Sequence, residues 1–202
     1  NFSSQNIADW EQLGAFGNAN MFVDMLDGTQ FHGQKGLRYM SCPLGQMFWR
    51  QNHQGLVDGF IRWFRLTAYQ AAQKWGTDNL PANLRSAYEQ KSQYPYSFFH
   101  RVCPREDYEP GRLDYMGKPW LSIYVSLDGK CLMQPESGYR TFPLAASRYE
   151  QGPDEVYGRG PAQMVLPALK TINMEKRIFL KQGHRAADPI LLTHDDGLVG
   201  FS

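Results

Sequence analysis

EVYGRGPAQMVLPALKTINMEKR, residues 155–177, joins two kinds of chain. Before it, after Gly152-Pro153, glycines and prolines cluster. Beyond Pro161 a helix-compatible run continues to about Ala187. Proline suits a first helical turn, where its missing N–H costs nothing, so Pro161 is expected to start a helix, and Pro167 to kink or restart it. A continuous helix from Pro161 to Ala187 would be about 40 Å long at 1.5 Å per residue, a rod that needs something to pack against. Just ahead of it, Tyr157, Gly158, Arg159, Gly160 and Pro161 read as a structural hinge. The two glycines allow a sharp turn, and Arg159 can donate to a carboxylate or a backbone oxygen.

Charge on the rod is local. Lys170, Lys176, Arg177, Lys181 and Arg185 stand against the single Glu175. Cations are favoured near the negative end of a helix dipole, so a solvated face is the ordinary reading. A surface facing DNA or an acidic partner is the alternative, recognisable by salt-dependent binding.

Working back towards the N-terminus, Ile7, Trp10 and Leu13 recur at helical spacing between Asn6 and Gly17. The period then changes to two. Met21–Leu26 closing on Asp27-Gly28, Leu37–Leu44, Met47–Trp49 and Leu56–Leu66 together read as an antiparallel meander. Thr67 is expected to cap a helix over Ala68–Trp75 that Gly76 stops. Pro81 opens a second helix, with Leu80, Leu84, Ala87 and Tyr88 on one face. Strands follow at Ser97–Val102 and Trp120–Leu127, with a polar loop between Pro104 and Pro119 and a hairpin at Asp128-Gly129. Past the rod, Asp188–Leu192 reads as a strand ended by an Asp195-Asp196-Gly197 turn. The fold class is therefore α+β, antiparallel strands and short helices followed by a long helix. Three segments result: 1–153, 154–187 and 188–202.

Composition bounds the function. The 202 residues are 42% apolar and 20% charged, too apolar for disorder, and without a run near the roughly 18 residues that span a bilayer. With 21 basic and 20 acidic residues, net charge does not mark the whole chain as a nucleic-acid binder. Cys42, Cys103 and Cys131 are odd in number and unpaired in spacing, which suits a reducing cytosol. The chain has no initiator Met and opens on an amphipathic pattern (Phe2, Ile7, Trp10, Leu13, Phe16), so it reads as a fragment.

Motifs for chemistry are missing. Gly111–Pro119 imitates a phosphate-binding loop, but the glycines are spaced wrongly and Pro119 stands where Ser or Thr should hold magnesium. The five histidines stand apart. His194 beside Asp195 and Asp196 is the densest metal candidate, and a polar hairpin tip explains it better. There is no G-x-S-x-G elbow, and Cys103 before Pro104 looks like the end of a half-buried strand. Phe60-Ile61-Arg62-Trp63-Phe64-Arg65 could stack single-stranded nucleic acid. In a strand, however, Phe60, Arg62 and Phe64 share one side and Ile61, Trp63 and Arg65 the other, as in a packed two-faced strand. No cofactor is implied, and the chain does not read as an enzyme.

Glu155-Val156-Tyr157-Gly158-Arg159-Gly160-Pro161, continued by Leu166-Pro167-Ala168-Leu169-Lys170-Thr171-Ile172-Asn173, resembles the head-to-tail connecting (portal) proteins of short-tailed bacteriophages. The likeness continues in collinear order. It takes in the opening NFSSQNIADWEQLGAFGNANMFVD, the Pro43-Leu44-Gly45 turn, Gly55-Leu56-Val57-Asp58, Leu66-Thr67-Ala68 with Gln70-Ala71, His100–Arg105 and Asp188-Pro189 with Asp195-Asp196-Gly197. Ile172 replaces a common Leu, and the loop from Tyr108 to Lys118 has no counterpart. The resemblance implies a phage or prophage portal protein whose copies form a dodecameric ring at one capsid vertex. Its partners would be capsid and scaffold proteins, a terminase, tail adaptor proteins and the double-stranded DNA passing through the channel, with no membrane. It would reside in the virion, and in the host cytoplasm during assembly. Residues 1–153 would then be wing, 154–187 stem helix and 188–202 the start of a clip. The rivals are a DNA-binding module that forms no ring, and a hydrolase whose residues converge only in space.

Overall fold

The computed structural model describes residues 1–27 and 35–189. It divides into two units, Asn1–Pro161 and Ala162–Ser202, and the fold is α+β. Helix α1 (Phe2–Phe16) leads into β1 (Asn18–Asp27), β2 (Lys35–Ser41), β3 (Met47–Gln51) and β4 (Val57–Thr67). Then come α2 (Ala68–Trp75), α3 (Ala82–Glu89), β5 (Pro95–Pro104), β6 (Trp120–Ser126), β7 (Cys131–Leu132), β8 (Ser137–Tyr139), β9 (Leu144–Arg148) and α4 (Pro161–Ala187). The strand expected at Asp188–Leu192 and the His194–Gly197 turn lie outside the described residues.

The first four strands are not one meander. β1 pairs with β2 on one side and β9 on the other, whereas β3 opens a second sheet in the order β3-β4-β5-β6-β7, with β8 also on β6. A three-residue helical turn at Leu44–Gln46 carries the chain from one sheet to the other. Hydrophobic periodicity fixes which residues form strands and says nothing of which neighbour each strand chooses.

Residues 60, 62 and 64 do share a face, and it is the inner one. The ladder aligns Phe60 with Val102, Arg62 with His100 and Phe64 with Phe98, then His100 with Tyr124 and Phe98 with Ser126. At one end of this face Phe64, Phe98 and Tyr124 meet Ala71, Ala72 and Trp75 of α2 and Leu84 of α3. At the other end Phe60 and Val102 meet Phe22 of β1, Met47 and Trp49 of β3, and Leu144 of β9. The core is thus two clusters on one sheet face, with Arg62, His100 and Tyr124 as the row between them. Pairing continuous over eight β4 positions holds the register, because a one-residue slip would turn Arg62 outward and Trp63 inward.

The helix over Ala68–Trp75 forms as its sequence foretells. Thr67 Oγ1 accepts from the Gln70 N–H at 3.3 Å, and the Gln70 side chain accepts from the Thr67 N–H at 3.0 Å, closing a capping box. Pro81 is the N-cap of α3, one residue before its first helical position, and Leu84 and Ala87 are buried. Helix α1 forms where its spacing places it, with its apolar face largely outward. Trp10 and Ile7 are 65% and 61% exposed, while polar side chains pin the helix to β2 and the turn after it. Gln5 Oε1 accepts from Ser41 N–H at 2.8 Å, Gln12 Oε1 accepts from Leu44 N–H at 2.9 Å, and Asp9 accepts from the Ser41 hydroxyl. Burial pushes the Asp9 carboxyl above its usual range, with the Ser41 hydrogen bond opposing.

Candidate functional site: the corner before the long helix

Residues 157–161 lie against the turn between α1 and β1, 140 residues away in sequence. Gly17 ends α1 in the left-handed conformation, φ 75°, its N–H on the Leu13 carbonyl at 2.9 Å, as a helix C-terminus favours. Asn18 follows, its side chain buried. Asn18 Nδ2 donates to the carbonyls of Gly158 at 2.8 Å and Phe16 at 3.0 Å, and its Oδ1 accepts from the Gly158 N–H at 2.7 Å. One amide therefore satisfies both backbone groups of Gly158, as a neighbouring strand would. Main-chain bonds add to the contact: Arg159 N–H donates to Glu150 O at 2.6 Å, and Tyr149 N–H to Gly17 O at 2.9 Å.

The glycines answer to proximity. Neither Gly158 nor Gly160 has a positive φ, so the conformational freedom expected of them is unused. A Cβ on Gly160 would sit 2.5 Å from the Gly17 nitrogen, and one on Gly158 2.8 Å from the Gly17 oxygen. Gly17 is constrained twice, because its own Cβ would meet the Arg159 carbonyl carbon at 2.2 Å. Backbone packs on backbone here, which only glycine permits.

Tyr157 anchors the corner to the second sheet. Its ring stacks on Trp49 with centroids 5.0 Å apart, and its hydroxyl accepts from the Trp49 N–H at 3.1 Å and donates to the Met47 carbonyl at 3.4 Å. Trp49 in turn donates its indole N–H to Asn20 Oδ1 at 2.6 Å. Arg159 pairs with the Glu155 carboxylate, one of the two partners its sequence allowed. The guanidinium is 66% exposed, so this pair contributes no more than about 1 kcal/mol. Pro161 begins α4.

Helix α4 runs unbroken over 27 residues with Pro167 inside it, so the expected restart does not occur. Thr171 Oγ1 donates to the Pro167 carbonyl at 3.3 Å. Lys170, Lys176, Arg177, Lys181 and Arg185 are all exposed. At about 100° per residue, Lys170, Arg177, Lys181 and Arg185 fall on one stripe, whereas Lys176 falls among Val165, Leu169, Ile172 and Phe179. The helix is thus basic on one side and apolar on another, and none of its residues is buried.

Chemistry is sparse elsewhere. Among the described residues no group of three His, Cys, Asp or Glu side chains could hold a metal ion, and no helix is long and apolar enough to cross a membrane. Arg112 pairs with Glu109 and Asp114 within the polar loop between Pro104 and Pro119. Cys42, Cys103 and Cys131 are free, with Cys103 buried in β5. Sequence reasoning missed Asn18 and read Gly17 only as a possible end of the first helix, yet the corner rests on both. Nothing local says what this turn touches.

The profile of the bacteriophage head to tail connecting protein family matches residues 1–201. The chain belongs to that family. Two curated relatives agree. The portal protein of Salmonella phage epsilon15 is 27% identical over 183 residues, covering 89% of this chain and 32% of that protein. A probable portal protein of Bordetella phage BPP-1 is 26% identical over 170 residues, covering 83% and 29%. This member of the connector family therefore spans about a third of the length of the curated relatives it matches. Two of the stretches that carry the resemblance, residues 157–161 and the α1–β1 turn, meet in space at the corner.

Proposed function

We propose that the chain is part of a phage or prophage portal: a structural connector whose copies form a ring-shaped channel through which DNA is packaged and ejected, and on which terminase and tail proteins dock. Membership of the connector family over residues 1–201 carries this reading. The physical features suit it. A wall of copies needs a rigid body, which the two-sheet unit with its bonded corner supplies, and a long element to pack between copies. Helix α4, apolar on one side and basic on another, suits a stem in a ring. In this reading 1–153 is wing, 154–187 stem and 188–202 the start of the clip, and residues 157–161 are architectural. The stripe of Lys170, Arg177, Lys181 and Arg185 faces DNA or an acidic partner, and the protein resides at the virion vertex after assembly in the host cytoplasm.

Negative-stain electron microscopy and native mass spectrometry of the whole protein that carries this chain test the reading. Channelled rings are expected, and a monodisperse monomer at high concentration overturns it. The basic stripe favours one second reading, a DNA-binding module without ring assembly. That reading requires tight duplex binding with a steep salt slope, whereas a conduit that grips its cargo would stall it.

A further inference from the structure

A cavity of about 840 Å³ opens at the seam between the two clusters of the first unit. Its floor is the row Arg62, His100 and Tyr124, successive neighbours across β4, β5 and β6. His100 and Tyr124 stack face to face, centroids 4.0 Å apart. Four cationic side chains line the cavity, Arg62 and Lys118 among them, and Asp24 is the single acid among the described lining residues.

Arg62 is the unusual member. Its guanidinium lies 5.1 Å from the Phe64 ring centre, and among the described residues its Nη1 donates only to the Met40 thioether at 3.6 Å, a weak acceptor. Its Nε is buried with no hydrogen-bond partner among the described residues. A buried charged donor left without an oxygen acceptor costs stability, and its planar fork matches phosphate or carboxylate. The other titratable groups keep the cavity positive. Lys74 sits 4.1 Å from the Tyr124 ring centre, and burial brings its ammonium down to about 8, leaving it largely charged at pH 7. Burial, helped by Lys74 and Arg62, holds His100 well below its usual range, so it stays neutral. Burial also pushes the Tyr124 and Tyr139 hydroxyls up, so they remain neutral donors.

We infer that this cavity is a binding site for a small phosphate monoester. The phosphate would lie on Arg62 and Lys118, and its organic body against Met25, Met40 and Leu66 of the lining. The dianionic charge of a phosphate monoester answers four cations and one acid better than a monocarboxylate does. The volume lies within the roughly 300–1,000 Å³ range of ligand pockets, far more than one inorganic phosphate needs. This inference stands apart from the ring, since every group it uses lies within residues 22–139.

Isothermal titration of the full chain in low-salt, phosphate-free buffer tests it, with adenosine 5′-monophosphate, adenosine and inorganic phosphate as probes. The monophosphate is expected to bind with a Kd below about 1 mM, inorganic phosphate more weakly, and adenosine not at all. Arg62→Gln should weaken the monophosphate at least about tenfold, the loss of one charge-assisted contact. Should that variant fold poorly by circular dichroism, Lys118→Gln, at the partly exposed wall, is the second probe and should weaken binding several-fold. Four results overturn the assignment: no heat from the monophosphate, adenosine or phosphate matching it, affinity unchanged in the variants, or a glutamate-rich peptide binding as tightly.

Discussion

Replacing Asn18 by alanine removes the single amide that satisfies both the N–H and the carbonyl of Gly158, at 2.7 and 2.8 Å. Water cannot readily take its place, because Asn18 is only 2% exposed. Each buried backbone group left without a partner costs about 1–3 kcal/mol, so N18A, which strips two, should lose roughly 2–6 kcal/mol. That is a large part of the 5–15 kcal/mol that holds a typical domain together. At about 2–4 °C per kcal/mol for a chain of this size, the melting temperature should fall by roughly 4–24 °C. Asn18→Asp is the informative companion. It keeps the acceptor for the Gly158 N–H but cannot donate to its carbonyl, and it buries a charge, so at neutral pH it should be no more stable than N18A. Urea unfolding followed by tryptophan fluorescence reads both, since Trp49 is stacked on Tyr157 beside this contact. An N18A protein within about 0.5 kcal/mol of the parent, the usual range of neutral surface changes, would refute the idea that Asn18 holds the corner.

Gly17→Ala should cost upwards of about 3 kcal/mol, since the added methyl meets backbone 2.2 Å away and φ is 75°. Gly14→Ala, in the same helix with nothing within 4 Å, should instead gain about 0.5–1 kcal/mol, and parallel denaturation curves separate the two. Thr67→Ala should remove the capping box of α2 at about 1 kcal/mol, read by thermal melting. Lys74 sets a pH dependence. Its folded pKa of about 8 lies below the ordinary lysine value of 10.5, so between those values the unfolded chain holds a proton the folded chain has lost. Stability should rise with pH from about 8 towards 10, by as much as about 3 kcal/mol in the full window at 1.36 kcal/mol per unit. Above pH 10 the raised Tyr124 and Tyr139 act in the opposite direction. Lys74→Met should flatten the rise, measured as urea midpoints across pH.

Local signals in the sequence carried the elements well. Thr67 with Gln70, Pro81 with the Leu84 face, and the period-two runs of β4 and β5 each state their structure within a few residues. The face of α1 was not legible in the same way. Its apolar spacing names a helix, but Gln5, Asp9 and Gln12 hold it to β2 by accepting from groups 30 or so residues away, and hydrophobicity cannot report a polar docking. The division of the first four strands between two sheets escaped for a related reason, since pairing partners are chosen by tertiary contact. The corner was half legible. Tyr157, Gly158, Arg159 and Gly160 stood out as a motif, while the reason for the glycines lay in Gly17 and Asn18 at the other end of the unit. Lys176 shows the limit of counting charges, since helical phase sets it apart from the other four cations.

The crossing of Gly160 over Gly17 has a mechanical meaning. Where side chains make a joint, rotamer changes let it creep under load. Where main chain lies on main chain, with one buried amide closing the gap, little can give, and any displacement of residues 157–161 must drag the end of α1 and the start of β1 with it. Within the first unit the corner behaves as a weld.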